Sequence, residues 1–356
     1  MAKRIFELPQ TKRGNFEIRG IINGTESDRF FTEKKTRTGG DFANVNFGVE
    51  YDAGSTIYMT LNGMTRDKVY FSKRVDGGKT ETKEVIWANR NKPQGDGWRL
   101  IGINLGITKI QDKDGKIVND KKTMTEYDAT KYIRDNLKDD SSVFIKGNIE
   151  YDSYTDKDGN IRRSVKYVPT QVSLCAKDID FDEFDGETKK PKHAFTQTII
   201  FTGIDKERDD NEKETGRYVV NAKVVNYNNI QDVEYIISDS KLANLFRKNL
   251  KVYNAIEVFG RIQVTHSIES VFDNDGWGEA NEMKRVNAPT KVELLITGAD
   301  PHTIDKETYN ANNIEDAMKQ IKASQRAKEN FGESKTTNNV DDWSTDDDID
   351  DEDDPW

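Results

Sequence analysis

The chain carries one run of elements twice, and a duplication of that kind leaves few folds open. In the first copy, residues 128–137 set Ala129, Tyr132, Ile133 and Leu137 at helical spacing behind Asp128 as N-cap. A β-rich stretch, 142–151, follows. In the second, Asp239 or Ser240 starts a helix running to Leu250, and the strand-like 255–264 comes next. Each post-helix strand holds one glycine, Gly147 and Gly260. Glycine inside a strand marks a bulge or sharp bend, as a small barrel needs at a corner. Polar turns at 155–160 and 273–276 then lead to strands that share a Pro-Thr pair, 168–176 and 288–296.

Upstream of each helix lie three more strand-like stretches: 16–22, 45–51 and 56–61 in the first copy, 195–201, 218–225 and 232–237 in the second. Three strands, a helix and two strands is the order of an OB fold. The expected fold is therefore mainly β: two tandem OB-fold, five-stranded Greek-key barrels, each with a short helix, plus a C-terminal helix and a disordered acidic tail. The first barrel spans 1–180 with a long insertion at about 63–125, and the second spans 181–302. Residues 303–332 read as a helical spacer, with Ala317, Met318, Ile321 and Ala327 on a narrow apolar face, and 333–356 as the tail.

Charge is divided unevenly. The net charge is −10, yet all 54 Lys and Arg precede residue 341 and ten of the 64 Asp and Glu lie from 341 onward. Residues 1–340 are thus neutral, and a neutral body has room for a basic groove. The last sixteen residues hold ten acids and end in Pro355-Trp356. Such a polyanion stays solvated, and its aromatic tip suits a partner's basic, apolar pocket.

Other classes find no support. Cys175 and three histidines make neither an intramolecular disulfide nor a Cys/His zinc cluster. No apolar run approaches the roughly 20 residues of a membrane helix, and the N-terminus lacks a signal-peptide core, so a soluble, cytoplasmic protein is expected. No P-loop, dinucleotide turn or nucleophile elbow occurs, and neither catalysis nor a cofactor or metal is expected. The Asp-x-Asp-Gly runs at 112–115 and 156–159 lack the glutamate that closes a calcium loop and read as hairpin turns.

Single strands are held by aromatic faces that stack on bases and by cations that follow phosphates. Alternation puts Ile57, Met59 and Leu61 inside and Tyr58 outside. The insertion repeats the idea with Arg66, Lys68, Tyr70, Lys73 and Arg74, and with Trp87 and Trp98 around Arg90 and Lys92. Tyr151, Tyr154, Arg162, Arg163, Lys166 and Tyr167 cluster on the last hairpin of the first copy. In the second copy Arg217, Lys223 and Arg261 are the candidates, for auxiliary nucleotides or for a partner.

Barrels of the OB type followed by an acidic tail resemble the single-stranded-DNA-binding proteins of bacteria and their viruses. Bacterial members close the tail with acids, Pro and Phe; here Asp353-Asp354-Pro355-Trp356 is similar. The resemblance implies binding to exposed single-stranded DNA without a fixed sequence in replication, recombination and repair. It implies that Asp350, Asp351, Glu352, Asp353, Asp354, Pro355 and Trp356 dock on a polymerase, primase-helicase or recombinase. Two barrels in one chain, where bacterial members have one and form tetramers, point to a monomer or small homo-oligomer. Divergence from cellular members points to a phage-encoded form, located in the host cytoplasm. Two alternatives stay open: an acidic DNA-mimic inhibitor, and a structural virion protein built on β-barrels.

Overall fold

The computed structural model of the chain describes residues 4–37, 39–52, 54–155, 161–181, 193–209, 212–266 and 290–332 (at 153–155, 161–163, 266, 290, 325 and 327–332 the backbone alone). Both hairpin turns expected at 156–159 and 273–276, and the tail, lie outside them. Strand β1 (Gly14–Asn23) buries Phe16, Ile18 and Ile22 at every second position of its inner face. β2 (Phe31–Lys35) pairs with β3 (Asp41–Asp52), and β3 forms a hairpin with β4 (Ser55–Met64).

Seven short strands separate β4 from the first helix. β5 (Lys68–Arg74), β6 (Thr80–Ile86) and β7 (Arg99–Leu100) make a separate three-stranded sheet over a small core of Val69, Phe71 and Val85. β8 (Ile103–Gly106) and β11 (Lys122–Met124) pair with each other, and β8 also joins the edge of the barrel. β9 (Lys109–Gln111) and β10 (Ile117–Asn119) form a hairpin whose turn is the expected one. There Asp112 accepts from the backbone N–H of Asp114 and Lys116, and Gly115 takes a φ of 78°.

Helix α1 (Glu126–Asn136) begins three residues before the expected start. Thr125 is the N-cap, and Asp128, expected in that role, is the third helical residue, whose N–H donates to Thr125 Oγ1 at 3.2 Å. β12 (Ser142–Thr155) and β13 (Ile161–Leu174) complete the first barrel. β1 lies between β12 and β3, β3 pairs with β4, β4 runs parallel to β13 at Met59 and Tyr167, and β13 pairs back to β12. That closed five-stranded circuit is the OB order.

β14 (His193–Arg208), β15 (Glu214–Val225), β16 (Ile230–Ile237), α2 (Ser240–Asn249), β17 (Ala255–His266) and β18 (Thr290–Asp305) repeat it. β14 pairs with β17 and β15, β15 with β16, β16 runs parallel to β18 at Ile236 and Leu295, and β18 pairs with β17. Asp239 caps α2. The two marked glycines occupy equivalent bulges, with register shifts at Lys146/Gly147 and Phe259/Gly260. A Cβ would lie 2.2 Å from the Val168 carbonyl oxygen at Gly147 and 1.9 Å from that of Leu295 at Gly260. The Pro-Thr match, by contrast, is not an equivalence. Gly147 faces Pro169 and Gly260 faces Ile296, so Pro169 corresponds to Ile296 rather than to Pro289. The connections between the paired strands differ in length, and the shared dipeptide carries no register.

The two circuits share a seam. β1 pairs with β14 from Asn15 and Thr196 to Ile18 and His193, and one apolar core runs through both. Tyr51 Oη accepts from the Val264 N–H at 2.9 Å, and the hydroxyls of Tyr151 and Tyr235 bond at 2.8 Å. The last helix, α3 (Ala311–Gly332), is docked rather than held off as a spacer. Ile314, Ala317 and Ile321 are buried with Tyr309 against Phe6 and Leu8 of the segment before β1. Ile314 supplies the contact that the expected face omitted.

Candidate nucleic-acid interface

The outer face of the β3–β4 hairpin follows from strict alternation. Ile57, Met59 and Leu61 fill the barrel, so Thr56, Tyr58, Thr60 and Asn62 point away from it. Tyr58 is 71% exposed, an unusual position for so large an apolar ring, and stands opposite Gly48. Asn44, Asn46 and Glu50 complete the face from β3. Asn46 Nδ2 donates to Asn44 Oδ1 at 2.5 Å, Asn44 Nδ2 to Asn62 Oδ1, and Thr60 Oγ1 to Asn46 Oδ1 at 2.8 Å. Glu50 is the one charge on this face, and its Oε1 accepts from the Gly54 N–H at 2.8 Å. The face is thus an aromatic ring beside an uncharged hydrogen-bonding ladder.

Cations stand at its edges. In the segment joining β1 to β3, Arg29, Lys34 and Arg37 are exposed, and Lys35 pairs with Asp41. None of these was a sequence candidate, although this connection borders the strand 2–3 face of any OB barrel and its run of basic residues was a readable signal. Beyond β4, residues 65–125 hold fourteen Lys and Arg against eight Asp and Glu, a net +6. Arg66, Lys68, Arg74 and Lys92 are exposed there, Lys73 is half-buried, and Tyr70 is 38% exposed on the outer face of β5. Lys68 is bonded to Glu84 at 2.7 Å, which raises its pKa.

Several expected surface residues are internal struts. Trp87 and Trp98 are half-buried on the small core of the insertion. Arg90 lies 4.4 Å over the Trp87 ring and forks onto Asp128 at 2.6 and 3.0 Å. That bond raises the pKa of Arg90; burial pushes Asp128 up, but the bonds from Arg90 and Thr125 outweigh it and leave its carboxyl below the usual range. Arg90 therefore ties the insertion to α1 instead of facing solvent. Tyr151 and Tyr167 are buried in the seam, where desolvation raises both phenols, so neither offers a ring to a base. Lys166 reaches Asp152 at 3.2 Å.

The second barrel differs from the first at the same place. Arg217 bonds Glu207 at 2.6 Å and the buried Glu293 at 2.8 Å, and Lys223 is mostly covered and bonded to Asp232. These corrections share one cause: an acid on a neighbouring strand meets each base, and that needs register to see. Asp232 and Glu234 are exposed on β16, and residues 193–305 carry eighteen acidic against thirteen basic groups. Arg261 is exposed on β17. The side chains of Tyr154, Arg162 and Arg163, and all of Asp350 to Trp356, lie outside the described residues. Among the described residues no cluster of three or more His, Cys, Asp or Glu is placed to hold a metal, and no helix is long and apolar enough to cross a membrane.

Two crystal structures of the single-stranded DNA binding protein from Thermus aquaticus are similar to this chain at 11% identity. A deletion mutant gives a TM-score of 0.38 over 85% of this chain and 98% of its own, and the wild type 0.36 over 82% and 93%. No curated protein matches by sequence. The model of the YorF family matches residues 12–334, nearly the whole chain, and this protein therefore belongs to the YorF family.

Proposed function

We propose that this protein binds single-stranded DNA across the outer face of β3 and β4, without a fixed recognition sequence, and coats exposed strands in replication, recombination and repair. The observation that carries the reading is Tyr58: an exposed ring on the strand 2–3 face of an OB barrel, with cations at the edges and not beneath it. Bases stack on the ring while phosphates run along Arg29, Lys34, Arg37, Arg66 and Arg74. The acidic tail, ending in Trp356, recruits a replication or recombination protein, in a cytoplasmic setting and with no catalytic step.

The test is fluorescence anisotropy of the full chain with a labelled oligo-dT and a duplex of equal length, at two salt concentrations. Tight, salt-sensitive binding of the single strand and weak binding of the duplex are expected. Tyr58→Ala should weaken single-strand binding by about 5- to 100-fold, the worth of one stacked base. Equal affinity for both DNAs, or an unaffected Tyr58→Ala, contradicts the reading.

A further inference from the structure

The β3–β4 face holds bases but has nothing on it for a phosphate. Its one charged side chain is an acid, Glu50, turned onto its own hairpin. What surrounds Tyr58 instead is the ladder of Thr60, Asn46, Asn44 and Asn62, each member fixed by the one before it. Asn46 Nδ2 also reaches the Arg29 carbonyl oxygen at 3.3 Å, and Asn23 Nδ2 donates to Thr56 Oγ1 at 3.2 Å, so neighbouring side chains are held as well. The chain of bonds has a direction. The Oδ1 of Asn62 is taken by Asn44, and its Nδ2 has no partner among the described residues, while the residue itself is exposed. An amide whose oxygen is anchored presents two N–H donors outward. Gly48, opposite Tyr58, leaves room for the Asn23 side chain, since a Cβ there would lie 1.9 Å from Asn23 Oδ1.

We propose that this face reads base edges, with the Asn62 amide donating to a carbonyl acceptor of a base seated farther along β4 than the one on Tyr58. Asn44, Asn46 and Thr60 are positioning residues for that amide. Bases with carbonyl oxygens, the pyrimidines above all, are then preferred over adenine. Stacking alone tolerates every base, so hydrogen-bond readout adds a preference by base type that the cations cannot supply. This rests on the single-strand reading above, and its test separates the two.

The experiment compares oligo-dT with an oligonucleotide of the same length whose thymines are replaced by a nonpolar shape mimic lacking the carbonyl acceptors. Stacking and phosphates are kept; the carbonyl acceptors are lost, together with the N3–H donor, and Asn62→Ala assigns the difference to the acceptors. The wild type should bind the mimic about 3- to 10-fold more weakly, the equivalent of one hydrogen bond. Asn62→Ala should bind both alike at the affinity the wild type shows for the mimic, with the salt slope unchanged. Asn44→Ala, which frees the amide to turn, should narrow the difference without abolishing it. Equal wild-type binding of thymine and mimic overturns this inference and leaves single-strand binding standing. Failure to bind either oligonucleotide overturns both. A wild-type difference that Asn62→Ala leaves intact assigns the readout elsewhere and overturns the role of Asn62.

Discussion

Tyr58 and Tyr151 are both strand tyrosines, and one parity rule sorts them. Tyr58 is out of step with the buried Ile57 and Met59, whereas Tyr151 is in step with the buried Ile149. The alternation that exposed the first therefore also foretold the burial of the second. In the seam the Tyr151 and Tyr235 hydroxyls satisfy each other away from water. Removing one leaves the other unpaired, so Tyr151→Phe should cost about 1–3 kcal/mol, while Tyr151→Phe with Tyr235→Phe should cost less than the two single changes together. Denaturant unfolding of the four species checks this, and additive losses would contradict the pairing. His193 offers a pH test of the same seam. Burial and the charge of Arg261 lower its pKa from 6.5, against a smaller opposite pull from Asp52, and its Nδ1 is buried beside Tyr51 without a partner among the described residues. A lowered folded pKa means stability that is full above pH 6.5 and is lost as pH falls through the folded value. Thermal melts from pH 7 to 5 should show a loss for the wild type that is smaller in His193→Gln; superimposable profiles would contradict it.

Among the elements, the glycine strands carried most of what was legible. Gly147 and Gly260 announced two bulges, and at each a carbonyl of the last strand of its barrel occupies the place a Cβ would need. Gly260→Ala puts a methyl against the Leu295 carbonyl and should cost about 1–3 kcal/mol or more. Gly203, at a register shift in β14 with open space around it, is the control: Gly203→Ala should change stability little. Equal effects at the two sites would refute the close-approach account. Alternation and helical spacing located the barrel strands and three helices, because they are local signals. The Pro-Thr register, the Thr125 cap and the acid partners of Arg90, Arg217 and Lys223 were not legible, because each depends on which strand or helix lies alongside. The Asn/Thr ladder is half visible: the alternation that turns Tyr58 outward turns Thr60 outward too, but its partners on β3 emerge only once Asn46 faces it.

For the whole molecule the decisive feature is the partition of charge. The insertion is basic, the segment holding the second barrel is acidic, and the tail holds ten further acids. The excess of cations lies in the insertion, whereas on β15 and β16 the bases present are already bound to acids. The sheet pairing of β1 with β14 and the buried tyrosines join two barrels of unequal charge, and under the proposed function the first receives the strand and the second supports it. Ultraviolet cross-linking of the full chain to single-stranded DNA, with the attached peptides identified by mass spectrometry, tests this most directly. The cross-links should fall on the peptide containing Tyr58 and on the insertion around Tyr70. Cross-links confined to the second barrel, or none at saturating DNA, would contradict the account.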